Sequence, residues 1–424
     1  MLTPKDLKEL VEQDLITGQQ AHDITRYYEI KKSSQPNRLS LILGVLGAVF
    51  IGLAVILVLA HNWDQFSNNI RVFIAFIPLV LAQIFTGYLL MNDTDQRNLK
   101  EVAGIILFFS LAATVFITSQ IYHVSDPEGN FYVLWMALSV PIVYILNASV
   151  LSMLCIFCIT SYLLAFGFNA DRMMPLLYFY SIIAALLPYY VKVMRRSDTN
   201  NTAYWLHWLL AVAIILSLLP LGNNAGVVLL FTYAALFTLF YHIGHLPVFD
   251  NIPKQANAYL QTGRAGITII LFIAGFSGFW DEVQEAWANA EILYSRAFIA
   301  SIVLGVAAIV LYVRRKQWKW FHLADMDLVL IPLFILLLTA NSLTFILSNL
   351  LTLAVGLVIM TRGIRSNRLL TINFGLLIIA VLILSRFFET NLSFLIRGLV
   401  FAMIGLAFFI TNYYLTKKSK RYEK

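Results

Sequence analysis

Arginines that follow an aromatic–acidic dipeptide are the first residues in this chain whose types and spacing could do chemistry. A planar guanidinium binds phosphate or carboxylate through paired hydrogen bonds, so arginines that converge in one crevice would form an anion site. The pattern also suits a clasp, in which an ion pair ties two neighbouring helices, or side chains that extend from helix ends towards solvent. These interpretations stay open for Trp63-Asp64 before Arg71, Trp280-Asp281 before Arg296, and Phe388-Glu389 before Arg397, with Arg386 just ahead of the last.

Polar side chains at the ends of two apolar segments form a second candidate cluster. His61 and Asn62 end one segment, and Gln120, Tyr122 and His123 end another. They could hydrogen-bond one helix to another, or line a polar vestibule for substrate or protons, because histidine titrates near neutral pH. No catalytic residue is assigned. The candidate substrate-binding residues are His61, Asn62, Trp63, Asp64, Arg71, Gln120, Tyr122, His123, Arg386 and Arg397.

A membrane fold must position these residues. Of the 424 residues, 60% are hydrophobic and 12% charged, with a mean hydropathy of +0.77, whereas soluble domains carry about 25% charged residues. Composition therefore predicts an all-α polytopic membrane protein. A span needs about 20 apolar residues, and the boundaries between neighbouring spans are weakest at Asn147 and Asn341. We expect fourteen spans: 40–60, 71–91, 102–122, 131–146, 148–168, 174–193, 204–220, 225–244, 265–280, 297–313, 327–341, 343–361, 369–387 and 393–413.

The basic residues predict the orientation of these spans. Cytoplasmic loops are enriched in Lys and Arg, and with both termini cytoplasmic 25 of the 30 basic residues fall on that side. The net charge of +7 then divides into +11 inside, from 25 basic and 14 acidic residues, and −4 outside, from 5 basic and 9 acidic residues. The charge is mainly a topology signal, so no nucleic-acid partner is expected. The eight tryptophans lie near predicted span ends, as interfacial anchors do.

Three regions follow one another along the chain. Residues 1–39 carry charges and apolar residues at helical spacing, and they predict a cytoplasmic helix pair whose second helix is capped by Thr17. Residues 40–413 form the transmembrane bundle, and residues 414–424 form a basic cytoplasmic tail. The chain begins without the pattern of a removable signal peptide.

Residues at both ends of the chain and in one internal stretch resemble one known family. They are Ala60-His61-Asn62-Trp63-Asp64, Gln120-Ile121-Tyr122-His123, Trp135, Pro141, Asn373-Phe374-Gly375, Arg386-Phe387 and Arg397-Gly398. They resemble the bacterial predicted membrane proteins called domain of unknown function 2157 (DUF2157). The resemblance implies a multi-pass protein of the bacterial inner membrane, and it supplies a fold and a location rather than an activity.

Metal and cofactor sites find little support in the sequence. His242 and His245 precede Asp250 at a helix end, yet a catalytic zinc site needs three correctly placed ligands. Cys155 and Cys158 have a C-x-x-C spacing but lie in an apolar span without a second ligand pair. Nucleotide-binding glycine motifs are absent from the sequence. We therefore expect no metal and no cofactor.

Three function classes remain. The leading prediction is transport, or the handling of lipids or envelope precursors, through a polar site at the outer leaflet. The first alternative is a membrane-embedded enzyme that acts on a lipid-linked substrate with Asp64, Asp281 or Glu389, and the second is a non-catalytic scaffold. The expected partners are membrane lipids, an anionic small molecule or lipid headgroup, and, for the scaffold, a protein bound through residues 1–39.

Overall fold

The structure is a computed structural model, and it describes most of the chain between residues 65 and 389. The described ranges are 65–92, 97–125, 129–168, 173–195, 201–222, 226–288 without 251 and 255, 294–314, and 344–389 without 367, together with residues 17–21 and isolated residues near both ends. Within them the chain is helical. The helices are α1 Asn68–Met91, α2 Arg97–Ile121, α3 Asn130–Leu146, α4 Ser149–Phe166, α5 Met174–Met194, α6 Asn201–Leu216, α7 Gly226–Ile243, α8 Ala258–Ile273, α9 Ser277–Ala288, α10 Arg296–Arg314, α11 Thr344–Arg365 and α12 Leu369–Glu389.

Most predicted spans correspond to these helices. Among the described residues, nine helices are long and apolar enough to cross a membrane, or ten if α8 and α9 count as one broken span. The apolar helix α3 has 17 residues and is shorter. The first and eleventh predicted spans and most of the fourteenth lie outside the described residues. The all-helical membrane class is thus confirmed, while the number fourteen and the orientation of the termini stay predictions.

The division at Asn147 is present. Helix α3 ends at Leu146, Asn147 adopts the left-handed conformation with φ 54°, and α4 begins at Ser149. Asparagine tolerates this conformation better than other residues with a side chain, so one residue suffices to end a helix here. The second weak division, Asn341, lies outside the described residues.

The predicted cap at Thr17 is also present. The backbone N–H of Gln20 donates to Thr17 Oγ1 at 3.3 Å, and the backbone N–H of Thr17 donates to Gln20 Oε1 at 2.9 Å. This reciprocal pair is a capping box, and residues 18–21 are helical. The rest of the predicted helix pair lies outside the described residues, apart from isolated positions.

The chain divides into two compact units, Met1–Ile74 and Ala75–Lys424. In the second unit, glycines let two helix pairs approach backbone to backbone. A Cβ at Gly263 of α8 would lie 2.7 Å from the Phe237 carbonyl oxygen of α7, and a Cβ at Gly375 of α12 would lie 2.6 Å from the Met360 nitrogen of α11. Small residues commonly permit such close packing between membrane helices.

The ninth predicted span, 265–280, is not one continuous helix. Helix α8 ends at Ile273, α9 begins at Ser277, and their axes differ by 88°. If α8 crosses the membrane, α9 therefore runs along its surface. Phe279, Trp280 and Val283 of α9 are buried, whereas its acidic residues Asp281, Glu282 and Glu285 are exposed. Hydropathy alone favoured a straight span because both sides of the break are apolar.

Candidate functional site

Polar side chains of α11 hold the break between α8 and α9. Ser348 Oγ donates to the Ala274 carbonyl oxygen at 2.6 Å, and Asn349 Nδ2 donates to the Gly275 carbonyl oxygen at 3.1 Å. A break in a helix frees backbone groups that must find other partners inside a membrane. Helix α11 supplies those partners.

The residues on α11 follow a pattern that the sequence contains. Thr344, Ser348 and Thr352 recur every four residues and are all buried, so they lie on one face of the helix. A polar stripe of this kind within an apolar span was the available signal for this site, and the sequence interpretation missed it. Asn349 lies beside the stripe.

Trp280 of α9 binds the same break. Its indole Nε1 donates to the Ala274 carbonyl oxygen at 2.7 Å, and the side chain is 2% exposed. Trp135 is similarly buried, with Nε1 donating to the Phe108 carbonyl oxygen at 2.8 Å. Both indoles therefore bind backbone inside the protein, and their depth at the membrane interface stays a prediction. Trp205, by contrast, is 63% exposed.

Arg386 reaches the break from the last turn of α12. Its guanidinium carbon lies 4.9 Å from the ring centroid of Phe345 and 5.1 Å from that of Phe276. Its nitrogens Nε, Nη1 and Nη2 are all shielded from solvent by the protein. The interpretation that Arg386 extends from its helix end into solvent is therefore wrong.

Gly275 packs closely against polar atoms of α8, α11 and α12. A Cβ at this position would lie 3.0 Å from the Phe272 carbonyl oxygen, 3.3 Å from Asn349 Oδ1 and 3.5 Å from Arg386 Nη2. The acceptor Asn349 Oδ1 is buried and makes no hydrogen bond within the described part of the chain. Helix α9 begins two residues later, at Ser277, and a helix N-terminus carries partial positive charge. We call Gly275, Phe276, Phe345, Asn349 and Arg386 the break site.

Of the remaining predicted site residues, the structure describes Arg71, Gln120, Tyr122 and His123. Arg71 lies half-buried in the first turn of α1, within the first compact unit. Gln120, Tyr122 and His123 are exposed at the end of α2, where His123 adopts a left-handed conformation with φ 48°. Their side chains make no hydrogen bond to another helix that the structure describes. The clustered arrangement stays a prediction because His61, Asn62, Trp63, Asp64 and Arg397 lie outside the described residues.

The acid–arginine clasp is described in part. Asp281 is exposed on α9, and Arg296 begins α10. The other two clasps include residues outside the described side chains, so they stay predictions.

A half-buried carboxylate on α2 was not singled out from the sequence. Glu101 accepts hydrogen bonds from the backbone N–H groups of Ser149 and Val150 at 2.7 and 2.8 Å, so it caps the N-terminus of α4. The Ser149 hydroxyl lies 3.0 Å from the Tyr189 hydroxyl and accepts from Arg97 Nη2 at 3.3 Å. The charged run 97–101 suggests a loop, but it is the first turn of α2.

A buried histidine forms a second polar cluster. His207 Nδ1 lies 2.6 Å from the Tyr190 hydroxyl, and its Nε2 lies 3.4 Å from Asn257 Oδ1. Asn257 also donates to the Gly244 carbonyl oxygen at 2.8 Å and caps α8 by accepting from the Leu260 N–H at 3.1 Å. Because its members satisfy one another, this cluster ties helices together rather than presenting a binding surface.

The fold and the polar clusters together define a polytopic α-helical membrane protein. Residues 8–152 match the family model described as predicted membrane protein DUF2157, which confirms the resemblance over that part of the chain. Neither the curated proteins nor the solved structures gave a match. The matched residues include Gln120, Tyr122 and His123 but end before the break site.

Proposed function

We propose that this membrane protein lies in the bacterial inner membrane and binds the phosphate-bearing headgroup of an anionic lipid in the outer leaflet. It thereby handles lipids or lipid-linked envelope precursors. The observation that carries the proposal is Arg386, a guanidinium held within the bundle against the rings of Phe276 and Phe345 at a helix break. An ionisable residue inside a membrane bundle is costly, so it commonly serves function.

The break site suits a phosphate in two respects. The guanidinium of Arg386 has donors in a planar fork that matches two phosphate oxygens. The N-terminus of α9 contributes a second, weaker positive field beside Phe276.

The depth of the site supports a lipid headgroup over a soluble solute. In the predicted orientation, the end of α8, the start of α11 and the end of α12 all lie at the outer leaflet. The right-angled helix α9, with Phe279 and Trp280 buried and its acids exposed, suits a position along the membrane surface. A lipid phosphate lies at this level.

Binding of phosphatidylglycerol by the full chain tests the proposal. The purified protein is placed in phosphatidylcholine nanodiscs, and lipid exchange into the site is followed by native mass spectrometry. Arg386→Gln removes the charge and the fork, so we expect affinity to fall about tenfold or more, since hydrogen bonds to charged groups contribute about 1.5–3 kcal/mol. Arg386→Lys keeps the charge without the fork, so an intermediate loss is expected.

Two controls make the result specific. Arg296→Gln removes an arginine on the same predicted side that lies outside the break site, and it should bind lipid as the wild type does. Soluble glycerol phosphate is added as competitor. Equal binding by wild type and Arg386→Gln would refute the proposal, and so would displacement of the lipid by glycerol phosphate at matched concentration.

A further inference from the structure

We propose that Arg264 and Lys254 bind an anionic phospholipid on the lipid-facing side of α8. The site lies towards the other end of α8 from the break, on the side that is cytoplasmic in the predicted orientation. The lipid phosphate meets the two cations, and an acyl chain lies along the helix. This second lipid contact does not depend on the proposed function.

Arg264 lies within a helix, whereas the ninth predicted span begins only at residue 265. Helix α8 begins at Ala258. At a rise of about 1.5 Å per residue, Arg264 lies about 9 Å further along the helix axis. A charge inside a membrane helix is costly unless it reaches the headgroup region or meets an anion.

The ring of Tyr241 on α7 positions the guanidinium of Arg264. The guanidinium carbon lies 5.8 Å from the Tyr241 ring centroid, within the range of a cation–π contact. Tyr241 itself is 4% exposed. Helix α7 ends two residues later, at Ile243, so the charge is held level with the last turn of α7. The end of a spanning helix lies near the headgroups, where lipid phosphates are found.

No carboxylate pairs with Arg264 among the residues that the structure describes. Within them its guanidinium makes no hydrogen bond and no ion pair, and its contact is with the Tyr241 ring. Asp250, the acid in the connection between α7 and α8, is exposed and forms no ion pair with a described residue. A lipid phosphate would supply the anion, because guanidinium and phosphate form strong charge-assisted hydrogen bonds.

Lys254 adds a second cation beside Arg264. Gln261 Nε2 donates to the Lys254 carbonyl oxygen at 2.7 Å, which holds the chain at Lys254 against α8 one turn before Arg264. The Lys254 side chain is exposed. Each basic side chain near a membrane surface strengthens binding of an anionic lipid about fivefold, so the pair favours such a lipid more than either cation alone.

An apolar stripe on α8 runs from these cations towards the break. Residues at helical spacing share one face of a helix, and this face contains Gln261, Ala265, Ile269 and Phe272. Arg264 lies at its edge. Ala265 is exposed and Ile269 is 57% exposed, so the bilayer itself provides the space for an acyl chain. A face that is cationic at one end and apolar beyond it matches an anionic phospholipid rather than a soluble phosphate.

Photolabelling by lipids tests the proposal at this face. The full chain is placed in phosphatidylcholine nanodiscs that contain a small fraction of phosphatidylglycerol or phosphatidylcholine, each with the same diazirine-bearing acyl chain. After irradiation and digestion, mass spectrometry measures the label on residues 265–272. At low salt we expect about fivefold or more label from phosphatidylglycerol. The ratio should fall at high salt, because ions screen exposed charges.

Variants assign the preference to the two cations. Arg264→Gln should lower labelling by phosphatidylglycerol about fivefold and leave labelling by phosphatidylcholine unchanged, whereas Arg264→Lys keeps the charge and should lose less. Lys254→Gln should lower it about twofold to fivefold, since an exposed ammonium is more screened by salt. The matched control is Arg195→Gln, because Arg195 is an exposed arginine at the C-cap of α5 on the same predicted side. It should label as the wild type does.

Three results would overturn the proposal. These are equal labelling of the wild type by the two lipids, an unchanged ratio in Arg264→Gln, and loss of the phosphatidylglycerol label when soluble glycerol phosphate is added at matched concentration. If Arg264→Gln fails to fold, Lys254→Gln and the wild-type comparison decide, because Lys254 is exposed outside the helices. The label is measured on α8, so Arg386→Gln should leave it unchanged, and the two lipid sites succeed or fail separately.

Discussion

Removal of the Glu101 carboxylate should destabilise the fold more than the loss of any exposed acid. Glu101 spans from α2 to the first turn of α4 and accepts from two backbone N–H groups, those of Ser149 and Val150, at 2.7 and 2.8 Å. In Glu101→Ala both donors lose this acceptor. Ser149 is fully buried, so water cannot easily replace the carboxylate there.

The magnitude follows from these two bonds. A hydrogen bond to a charged group contributes about 1.5–3 kcal/mol, and the cost of burying the carboxylate itself offsets part of that gain. We therefore take the lower value for each bond and expect Glu101→Ala to lower the free energy of unfolding by about 3 kcal/mol. Glu101→Gln keeps one acceptor oxygen but turns an amide NH₂ towards the other N–H, so about half the loss is expected.

The assay compares unfolding in mixed micelles of mild detergent and dodecyl sulfate. Circular dichroism follows the helices, and both variants are measured beside the wild type. Glu282→Ala is the control, since Glu282 is exposed on α9 and its loss should change stability by less than about 0.5 kcal/mol. If Glu101→Ala and Glu282→Ala unfold at the same fraction of dodecyl sulfate, the Glu101 carboxylate does not stabilise the N-terminus of α4.

Two further predictions concern the break between α8 and α9. Gly275→Ala should lower the free energy of unfolding by about 1–3 kcal/mol, because its Cβ would crowd three neighbouring atoms at 3.0–3.5 Å. Gly278→Ala has open space around its Cβ, so it should leave the melting temperature unchanged or slightly higher. Equal melting temperatures of the two variants would contradict the close approach at Gly275. Trp280→Phe keeps an aromatic ring but loses the 2.7 Å hydrogen bond to the Ala274 carbonyl oxygen, so it should lower the free energy of unfolding by about 1 kcal/mol in the same micelle assay. The control is Trp205→Phe, which should leave stability unchanged because that side chain is 63% exposed. If Trp280→Phe leaves stability unchanged, the indole N–H does not stabilise the break.

Much of the helical architecture follows from local composition. Whether a segment can cross a membrane depends on the summed hydropathy of about 20 consecutive residues, and α1, α2, α5 and α10 accordingly lie close to the predicted spans. Local geometry is equally accessible: Thr17 and Asn147 act as helix boundaries because their own side chains suit those positions. Arg386 lies in the last turn of α12, as its place near the end of the thirteenth predicted span indicates.

The contacts of each polar side chain could not be predicted from local composition. Trp280 at a span end predicts a headgroup anchor, but the side chain binds the Ala274 carbonyl oxygen inside the protein. Glu101 and Arg97 form a charged run that suggests a loop, although the run begins a helix and Glu101 caps another one 48 residues later. Hydropathy averages over neighbours in sequence, so it contains no information about such partners.

The sequence by itself determined that this chain is an α-helical membrane protein, where most of its helices run, and that the basic residues favour cytoplasmic termini. Only the tertiary structure decided that the span after Ala258 breaks at Ala274, and that the break meets Arg386 and the polar face of α11. The physical reason is distance along the chain. Ser348 lies 74 residues from the carbonyl that it satisfies, and only helix packing brings them together.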